Sequence, residues 1–159
     1  MLLRRFDDVV TAANARLSVM SSGRYELRSS DERELGSRAR KTGLSLVIHD
    51  QVTGTVRDPG SFSGGETFYA SLSLALGLAD VVQREAGGLE LGTLFVDEGF
   101  GSLDPETLDA VMTELGRLSA SGRVIGIVSH VDELKQRIAD RLEVRRRPDG
   151  SSTLRSTVD

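Results

Sequence analysis

Apolar residues near the start of the chain recur at alternating spacings of three and four, which predicts a helix over residues 2–20. The positions that carry this pattern are Leu3, Phe6, Val10, Ala13 and Leu17. The spacing is that of a heptad seam and fits the base of a coiled coil. An amphipathic helix that lies on its own domain has the same pattern. Because a coiled coil is recognised only over three or four heptads, the pattern alone leaves both interpretations open.

The segment from residue 21 to residue 60 is polar and is interrupted by glycines. Two short stretches within it, 25–28 and 44–49, have the composition of strands. Residues 28–40 are rich in charge and predict a mobile loop. We therefore expect two strands separated by a loop.

Three apolar segments after residue 67 predict a sheet packed with helices. Residues 68–82 are apolar almost all round, which predicts a buried helix that ends at Gly87-Gly88. Residues 93–96 and 124–128 are short apolar runs, typical of central parallel strands covered on both faces. Between them, a helix that begins at Pro105 has its apolar residues on one side. Strand, helix and strand at this spacing form a βαβ crossover, so the predicted fold class is α/β.

The end of the chain predicts a β-hairpin. Strand-like runs at 141–147 and 152–157 are joined by Pro148-Asp149-Gly150, and Asp-Gly between such runs is a hairpin signal. The run Arg145-Arg146-Arg147 fits a contact with DNA phosphates. It fits equally well the charges that protect an edge strand from aggregation.

The composition narrows the class of protein. A chain of 159 residues, 38% of them hydrophobic, is long enough for one compact domain with a core. No apolar run approaches the roughly 20 residues that span a bilayer, and the first residues lack the apolar segment of a signal peptide. The chain has no cysteine, so it has no disulfide and no thiolate metal site. Its net charge of −4 does not favour a nucleic-acid binder. A cytoplasmic protein with no membrane role is the simplest interpretation.

Two adjacent carboxylates, Asp97 and Glu98, follow the apolar run at 93–96. Open α/β sheets bind ligands beyond the carboxyl ends of their strands. Asp97 in this place suits Mg²⁺, which takes one or two carboxylates together with water and phosphate oxygens. Glu98 suits the orientation or deprotonation of an attacking water. The alternative is that Asp97 only begins a turn and Glu98 is solvated.

The motif Ser63-Gly64-Gly65-Glu66 opens the long apolar helix. Ser followed three residues later by Glu is a capping box, which stabilises any helix start. The two glycines add cost to folding, since glycine loses the most backbone freedom. They let the backbone approach an anion closely at a helix N-terminus, where N–H groups and the helix dipole favour phosphate. The motif therefore fits both a cap and a phosphate site.

Two further motifs have ordinary structural alternatives. Gly101-Ser102-Leu103-Asp104 precedes Pro105, and Asp-Pro is a common N-cap and first helical position. His130 follows Ser129 after an apolar strand and has a structural histidine as its alternative. A Walker A loop requires Gly before Lys and a preceding apolar strand. Residues 36–42, which end in Arg40-Lys41-Thr42, meet neither requirement and are rejected.

In this order and at these distances, the motifs resemble the signature loop, Walker B strand, D-loop and switch histidine of an ABC-class ATPase. Residues 63–68 and 95–105 are similar in detail to the C-terminal ATPase lobe of the bacterial SbcC-type proteins, which are SMC-like DNA-repair ATPases. The resemblance implies the C-terminal half of an ABC-type P-loop NTPase head. Such a head has a central, largely parallel sheet flanked by helices, with a C-terminal antiparallel hairpin.

The resemblance also implies roles for particular parts of the chain. Residues 1–20 would be the base of a coiled coil, and residues 21–159 the C-terminal lobe. The implied ligands are ATP and Mg²⁺. The implied site residues are Asp97 for the metal, Glu98 as general base, His130 on the γ-phosphate, Ser63, Gly64, Gly65 and Glu66 at the partner's nucleotide, and Ser102 and Asp104 between the two sites.

The implied partners are the N-terminal ATPase lobe of the same protein, a second copy in an ATP-dependent dimer, an SbcD-type nuclease and DNA held by the whole complex. Without a Walker A loop, the chain alone is expected to be inactive. Three alternatives are weighed against this interpretation. A transporter ATPase is disfavoured by Glu66 and Gly99, a recombination or chromosome-condensing SMC relative is closer, and a non-catalytic interaction module belongs to another class.

Overall fold

The computed structural model describes residues 2–30, 45–87 and 91–157. The charge-rich segment predicted at 28–40 lies outside these residues except for its first three positions, which belong to a strand. The rejected Walker A candidate at 36–42 also lies outside them. The chain divides into two units, Met1–Val128 and Ser129–Asp159.

The first unit begins with helix α1 (Leu2–Met20), which has the predicted bounds. It packs against helix α2 (Gly64–Glu85) and against strand β1 (Tyr25–Ser30). Three of the heptad-spaced residues, Val10, Ala13 and Leu17, are buried there. These residues therefore contribute to the core of the unit, as an amphipathic helix on its own domain would.

An antiparallel sheet of three strands, β1, β2 (Ser45–Asp50) and β3 (Thr55–Arg57), lies beside α1. Asn14 joins the helix to the sheet. Its side-chain amide donates to the carbonyl of Leu27 and accepts from the N–H of Leu27, both at 2.8 Å. The two predicted strands are confirmed within two residues, and β3 was not predicted.

The βαβ crossover is confirmed as β4 (Thr93–Asp97), α3 (Pro105–Ala120) and β5 (Val124–Val128). The two strands are parallel and pair Thr93 with Val124 through to Asp97 with Val128. They are the parallel part of the fold within the described residues. A one-turn 3₁₀ helix, Phe100–Ser102, follows β4.

We expected other elements to pack on both faces of these strands, and within the described residues this prediction is wrong. Phe95, Val124 and Val128 are 72%, 63% and 52% exposed, and their registered positions put them on one face. Val96, on the other face, is buried. Helix α2 is likewise covered on one side only, since Leu78 is 53% exposed. An apolar strand pattern predicts burial, but it does not state which element provides the cover.

A cluster of ion pairs connects the three long helices of the first unit. Arg16 of α1 donates to Glu114 of α3 at 2.8 Å and to Asp80 of α2 at 2.5 Å. Arg123, just before β5, reaches the second oxygen of Asp80 at 3.2 Å. Glu114 is buried, so its charge is balanced by a close guanidinium rather than by water.

The second unit contains helix α4 (Asp132–Arg137) and the antiparallel strands β6 (Leu142–Arg146) and β7 (Ser152–Ser156). The predicted hairpin is confirmed. Its turn has Gly150 at a φ of 84°, and the Asp149 carboxylate accepts from the N–H of Ser151 at 2.9 Å. In the described part of the chain, no helix is long and apolar enough to cross a membrane.

Candidate functional site

Helix α2 begins with the predicted capping box. Ser63 is extended, and its hydroxyl oxygen accepts from the N–H of Glu66 at 3.2 Å. The Glu66 carboxylate accepts in return from the N–H of Ser63 at 2.8 Å. The N–H of Thr67 is bonded to the carbonyl of Ser63. The first N–H groups of a helix have no acceptor within the helix, and here those of Gly64 and Gly65 are available to a ligand. Gly64 is also exposed.

The Glu66 carboxylate is held by donors from the three-stranded sheet. Arg57 of β3 donates to both of its oxygens, at 2.8 and 3.1 Å, and the Tyr25 hydroxyl of β1 donates at 2.7 Å. Burial alone would raise the pKa of Glu66, but the bonds from Arg57, Ser63 and Tyr25 outweigh it and lower the pKa to about 2. Glu66 is thus bound by one cation, Arg57, and by neutral donors of its own chain. Its role at a nucleotide stays a prediction.

The two predicted carboxylates lie where β4 ends, and both are exposed. Asp97 is the last strand residue, opposite Val128 of β5. The N–H of Glu98 donates to the carbonyl of Val128 at 2.8 Å, and Glu98 has a left-handed φ of 59°. A left-handed backbone is uncommon for a residue with a side chain, and such positions cluster at functional sites.

An aromatic contact connects this turn to α2. Gly99 also has a positive φ, and a Cβ there would overlap the ring of Phe68. Phe68, in the first turns of α2, packs at a tilt against the buried Phe100, with ring centroids 4.9 Å apart. Gly99 is therefore required twice, for its backbone conformation and for the space that Phe68 occupies.

The glycine loop, by which we mean Ser63-Gly64-Gly65, is in contact with the predicted D-loop, Gly101-Ser102-Leu103-Asp104. A Cβ on Gly64 would lie 3.0 Å from Cβ of Ser102, and one on Gly65 would lie 3.5 Å from its carbonyl oxygen. The Ser102 hydroxyl donates to the carbonyl of Gly99 at 2.9 Å. The start of α2 and the turn after β4 therefore form one surface, which the motif order alone did not show.

Asp104 is the N-cap of α3. Its carboxylate accepts from the backbone N–H of Thr107 at 2.9 Å and from the Thr107 hydroxyl at 2.7 Å. These two bonds, in that order, lower the pKa of Asp104 below its usual range. The capping alternative raised by the sequence is thus present, and a role between two sites stays a prediction.

His130 lies in the second unit, where it is exposed. The neighbouring Ser129 accepts from the N–H of Val131 through its hydroxyl at 3.2 Å. Within the first unit, the structure brings the predicted residues Gly64 and Ser102 into contact. Sequence reasoning missed Arg57 and Tyr25 as neighbours of the loop, because a polar contact between distant residues leaves no periodic pattern.

The residues present fit a nucleotide with Mg²⁺ in their chemistry. The start of α2 offers backbone N–H groups to phosphate, and Asp97 offers an exposed carboxylate to a hard cation. Among residues 2–30, 45–87 and 91–157, no three His, Cys, Asp or Glu side chains are grouped to hold a metal ion by themselves. Mg²⁺ bound at a nucleotide commonly takes only one or two protein carboxylates.

A family model described as SbcC/RAD50-like, Walker B motif, matches residues 28–116, which is more than half of the chain. The chain belongs to the SbcC/RAD50-like family. This membership confirms the family inferred from the motifs. The matched residues include the glycine loop, the carboxylate pair and the D-loop, all of which belong to the first unit.

Relatives in this family are the SbcC proteins of the SbcCD nuclease. That of Vibrio cholerae is 54% identical over 138 residues, or 87% of this chain, and that of Treponema pallidum is 43% identical over 99% of it. The chain spans only 13% and 15% of the length of these two relatives.

Solved SMC heads share the fold. A structure from work on ATP-driven dimerisation and DNA-stimulated activation of SMC ATPases has a TM-score of 0.69 at 17% identity, over 98% of this chain and 86% of that one. An SMC head domain from Thermotoga maritima has a TM-score of 0.60 at 18% identity, over 94% of this chain and 47% of that one. The chain therefore shares the fold of the matched part of SMC ATPase heads.

Proposed function

We propose that this chain is the C-terminal ATPase lobe of an SbcC-type protein and supplies half of an ATP site. The observation that carries the proposal is the single surface formed by Gly64, Ser102 and the turn after Asp97. The glycine loop contacts Ser102, in the turn that follows Asp97, the predicted metal ligand, and Glu98, the predicted base. The sequence has no Walker A loop, so an N-terminal lobe would have to supply the phosphate clamp and its lysine.

When bound, ATP with Mg²⁺ supplies the phosphoryl group that passes to water. Asp97 would hold the metal through water. Glu98 would accept a proton from the attacking water or orient it. The N–H groups of Gly64 and Gly65, with Ser63, would bind the terminal phosphate of a nucleotide carried by a second copy.

The exposed apolar face of β4 and β5 supports the need for a second lobe. Phe95, Val124 and Val128 lie together on that face. Apolar patches of this kind mark contact with another protein surface. We infer that the N-terminal lobe covers them, and that α1 continues as the base of a coiled coil that joins the two lobes.

Through its relatives, which are named as part of the SbcCD nuclease, we extend the proposal to the whole protein. ATP hydrolysis at a dimer interface would drive DNA-end processing in double-strand break repair, together with an SbcD-type nuclease. DNA would be held by the complete complex rather than by this lobe.

The test is Mg²⁺-dependent ATP hydrolysis by the chain alone and mixed with the N-terminal lobe of its parent protein. We expect turnover only in the mixture, and its loss with Glu98→Gln or Ser63→Arg. Glu85→Gln, at the far end of α2, is the matched control that should keep the activity. Turnover by the chain alone that Glu98→Gln removes would contradict the half-site.

A non-catalytic interaction module is the competing function, supported by the same exposed apolar face. An assembled mixture without ATP hydrolysis would favour it. In that case the double variant Asp97→Ala/Glu98→Ala of the full-length protein should still protect cells from DNA damage.

A further inference from the structure

A single arginine side chain connects the two ends of the glycine loop. Arg57 donates to the carbonyl of Ser61, before the loop, at 2.6 Å. It also donates to both oxygens of Glu66, after the loop, at 2.8 and 3.1 Å. The guanidinium therefore fixes the span between Ser61 and Glu66 from β3, a strand of the neighbouring sheet.

The contact passes directly to the first residue of the loop. The Glu66 oxygen that accepts from Arg57 Nη2 also accepts from the N–H of Ser63 at 2.8 Å. A carboxylate held by a bidentate guanidinium has a fixed orientation, since planar forks match in two bonds. Ser63 and the two glycines that follow it are thereby held in one conformation.

Tyr25 of β1 adds a second fixed point. Its hydroxyl donates to Glu66 at 2.7 Å, and its ring stacks on Tyr69 with centroids 5.7 Å apart. Its backbone N–H donates to the hydroxyl of Ser21, just after α1. The Glu66 side chain is 12% exposed and that of Arg57 is 29% exposed, so these bonds are partly shielded from water.

We propose that Arg57, assisted by Tyr25, is a positioning residue that presents the N–H groups of Gly64 and Gly65 to the terminal phosphate of a nucleotide. The inference rests on the proposed function. Neither side chain touches the phosphate. They act through Glu66 by keeping the loop in the conformation that binds it, so that apparent affinity falls with the fraction of molecules in that conformation.

The experiment measures steady-state ATP hydrolysis by the full-length parent protein and its Arg57→Met variant. We expect KM for ATP to rise about tenfold while kcat at saturating ATP stays within about twofold, because saturating nucleotide repopulates the competent loop. Tyr25→Phe keeps the stacking on Tyr69 and should raise KM by a smaller factor. Arg57→Lys keeps the charge but not the fork and should recover part of the loss.

Arg28→Met is the matched control. Arg28 forms an exposed pair with Glu26 at 2.7 Å within the same sheet but does not contact the loop, so its removal should leave KM unchanged. A merely structural role for Arg57 would lower kcat through loss of folded protein and leave KM alone, and that result would overturn the inference.

A readout without ATP separates this inference from the proposed function. Hydrogen exchange of the 61–67 segment should speed up in Arg57→Met and not in Arg28→Met. Unchanged exchange would refute the positioning role. A full-length wild type that does not hydrolyse ATP would instead overturn the proposed function, and with it the phosphate-presenting part of this inference.

Discussion

Helices α1 and α2 meet at Gly77, and replacing this glycine by alanine is expected to destabilise the chain. A Cβ at Gly77 would lie 2.7 Å from the backbone nitrogen of Ala13 and 2.8 Å from the carbonyl oxygen of Val9. Both neighbours are backbone atoms, which cannot rotate away as a side chain can. The two helices would have to move apart.

The size of the effect follows from these distances. Carbon needs about 3.5 Å from its neighbours, so the helices would separate locally by about 0.8 Å. A gap of that size forfeits about a quarter to a half of each contact made by the buried Leu17 and Leu76. We take about 3 kcal/mol as the cost of overpacking. The higher helix propensity of alanine relative to glycine offsets about 1 kcal/mol of this cost, so the net destabilisation is about 2 kcal/mol.

Thermal unfolding followed by the circular dichroism of the helices measures this change. About 2 kcal/mol corresponds to a fall of roughly 4–8 °C in Tm for a chain of this size. Gly116 provides the control, because it lies in α3 with nothing within 4 Å of a Cβ. Gly116→Ala should raise Tm, by about 1 kcal/mol in free energy. Equal stabilisation by both substitutions would refute the close-contact reasoning.

Three further predictions use the same unfolding assay. Leu76→Ala should lower the free energy of unfolding by about 2–5 kcal/mol because Leu76 is fully buried. Leu78 is on the exposed face, and an equally small loss for Leu76→Ala and Leu78→Ala would contradict this prediction. Asp104→Ala should cost about 1 kcal/mol through loss of the α3 cap, and an unchanged Tm would argue against the cap. The pKa of Glu66 is lowered from 4.5 to about 2, so its carboxylate stabilises the fold above pH 4.5 and loses that effect as pH falls toward 2. Glu66→Gln should flatten the fall in stability over this range, and equal slopes in the two proteins would count against the Arg57 contact.

Elements with regular apolar spacing could be predicted from the sequence. Helix α1 has the predicted bounds because its apolar positions are the ones that the core buries, such as Val10 and Leu17. Strand β3 was not predicted because its three residues show no apolar alternation. It is formed by the turn at Asp50, whose carboxylate accepts from the N–H groups of Val52 and Thr53 and directs the chain back along β2.

The candidate site, too, has parts that the sequence predicts and parts that it does not. Motif order predicts the glycine loop and the carboxylates as site residues. The contact between Gly64 and Ser102 joins residues far apart in sequence, and no local pattern encodes it. The predicted cover of Phe95 is wrong within the described residues, since period and polarity say that a face is apolar but not which surface meets it.

The ion pairs of Asp80 limit which substitutions this family can accept at that position. Its two carboxylate oxygens serve different cations, Arg16 from α1 and Arg123 from the approach to β5. Losing Asp80 would leave two partly buried guanidiniums without their shared acceptor, whereas losing either arginine leaves the other in place. We therefore expect Asp80 and Arg123 to covary among relatives, and Arg16 to be kept wherever the buried Glu114 is kept.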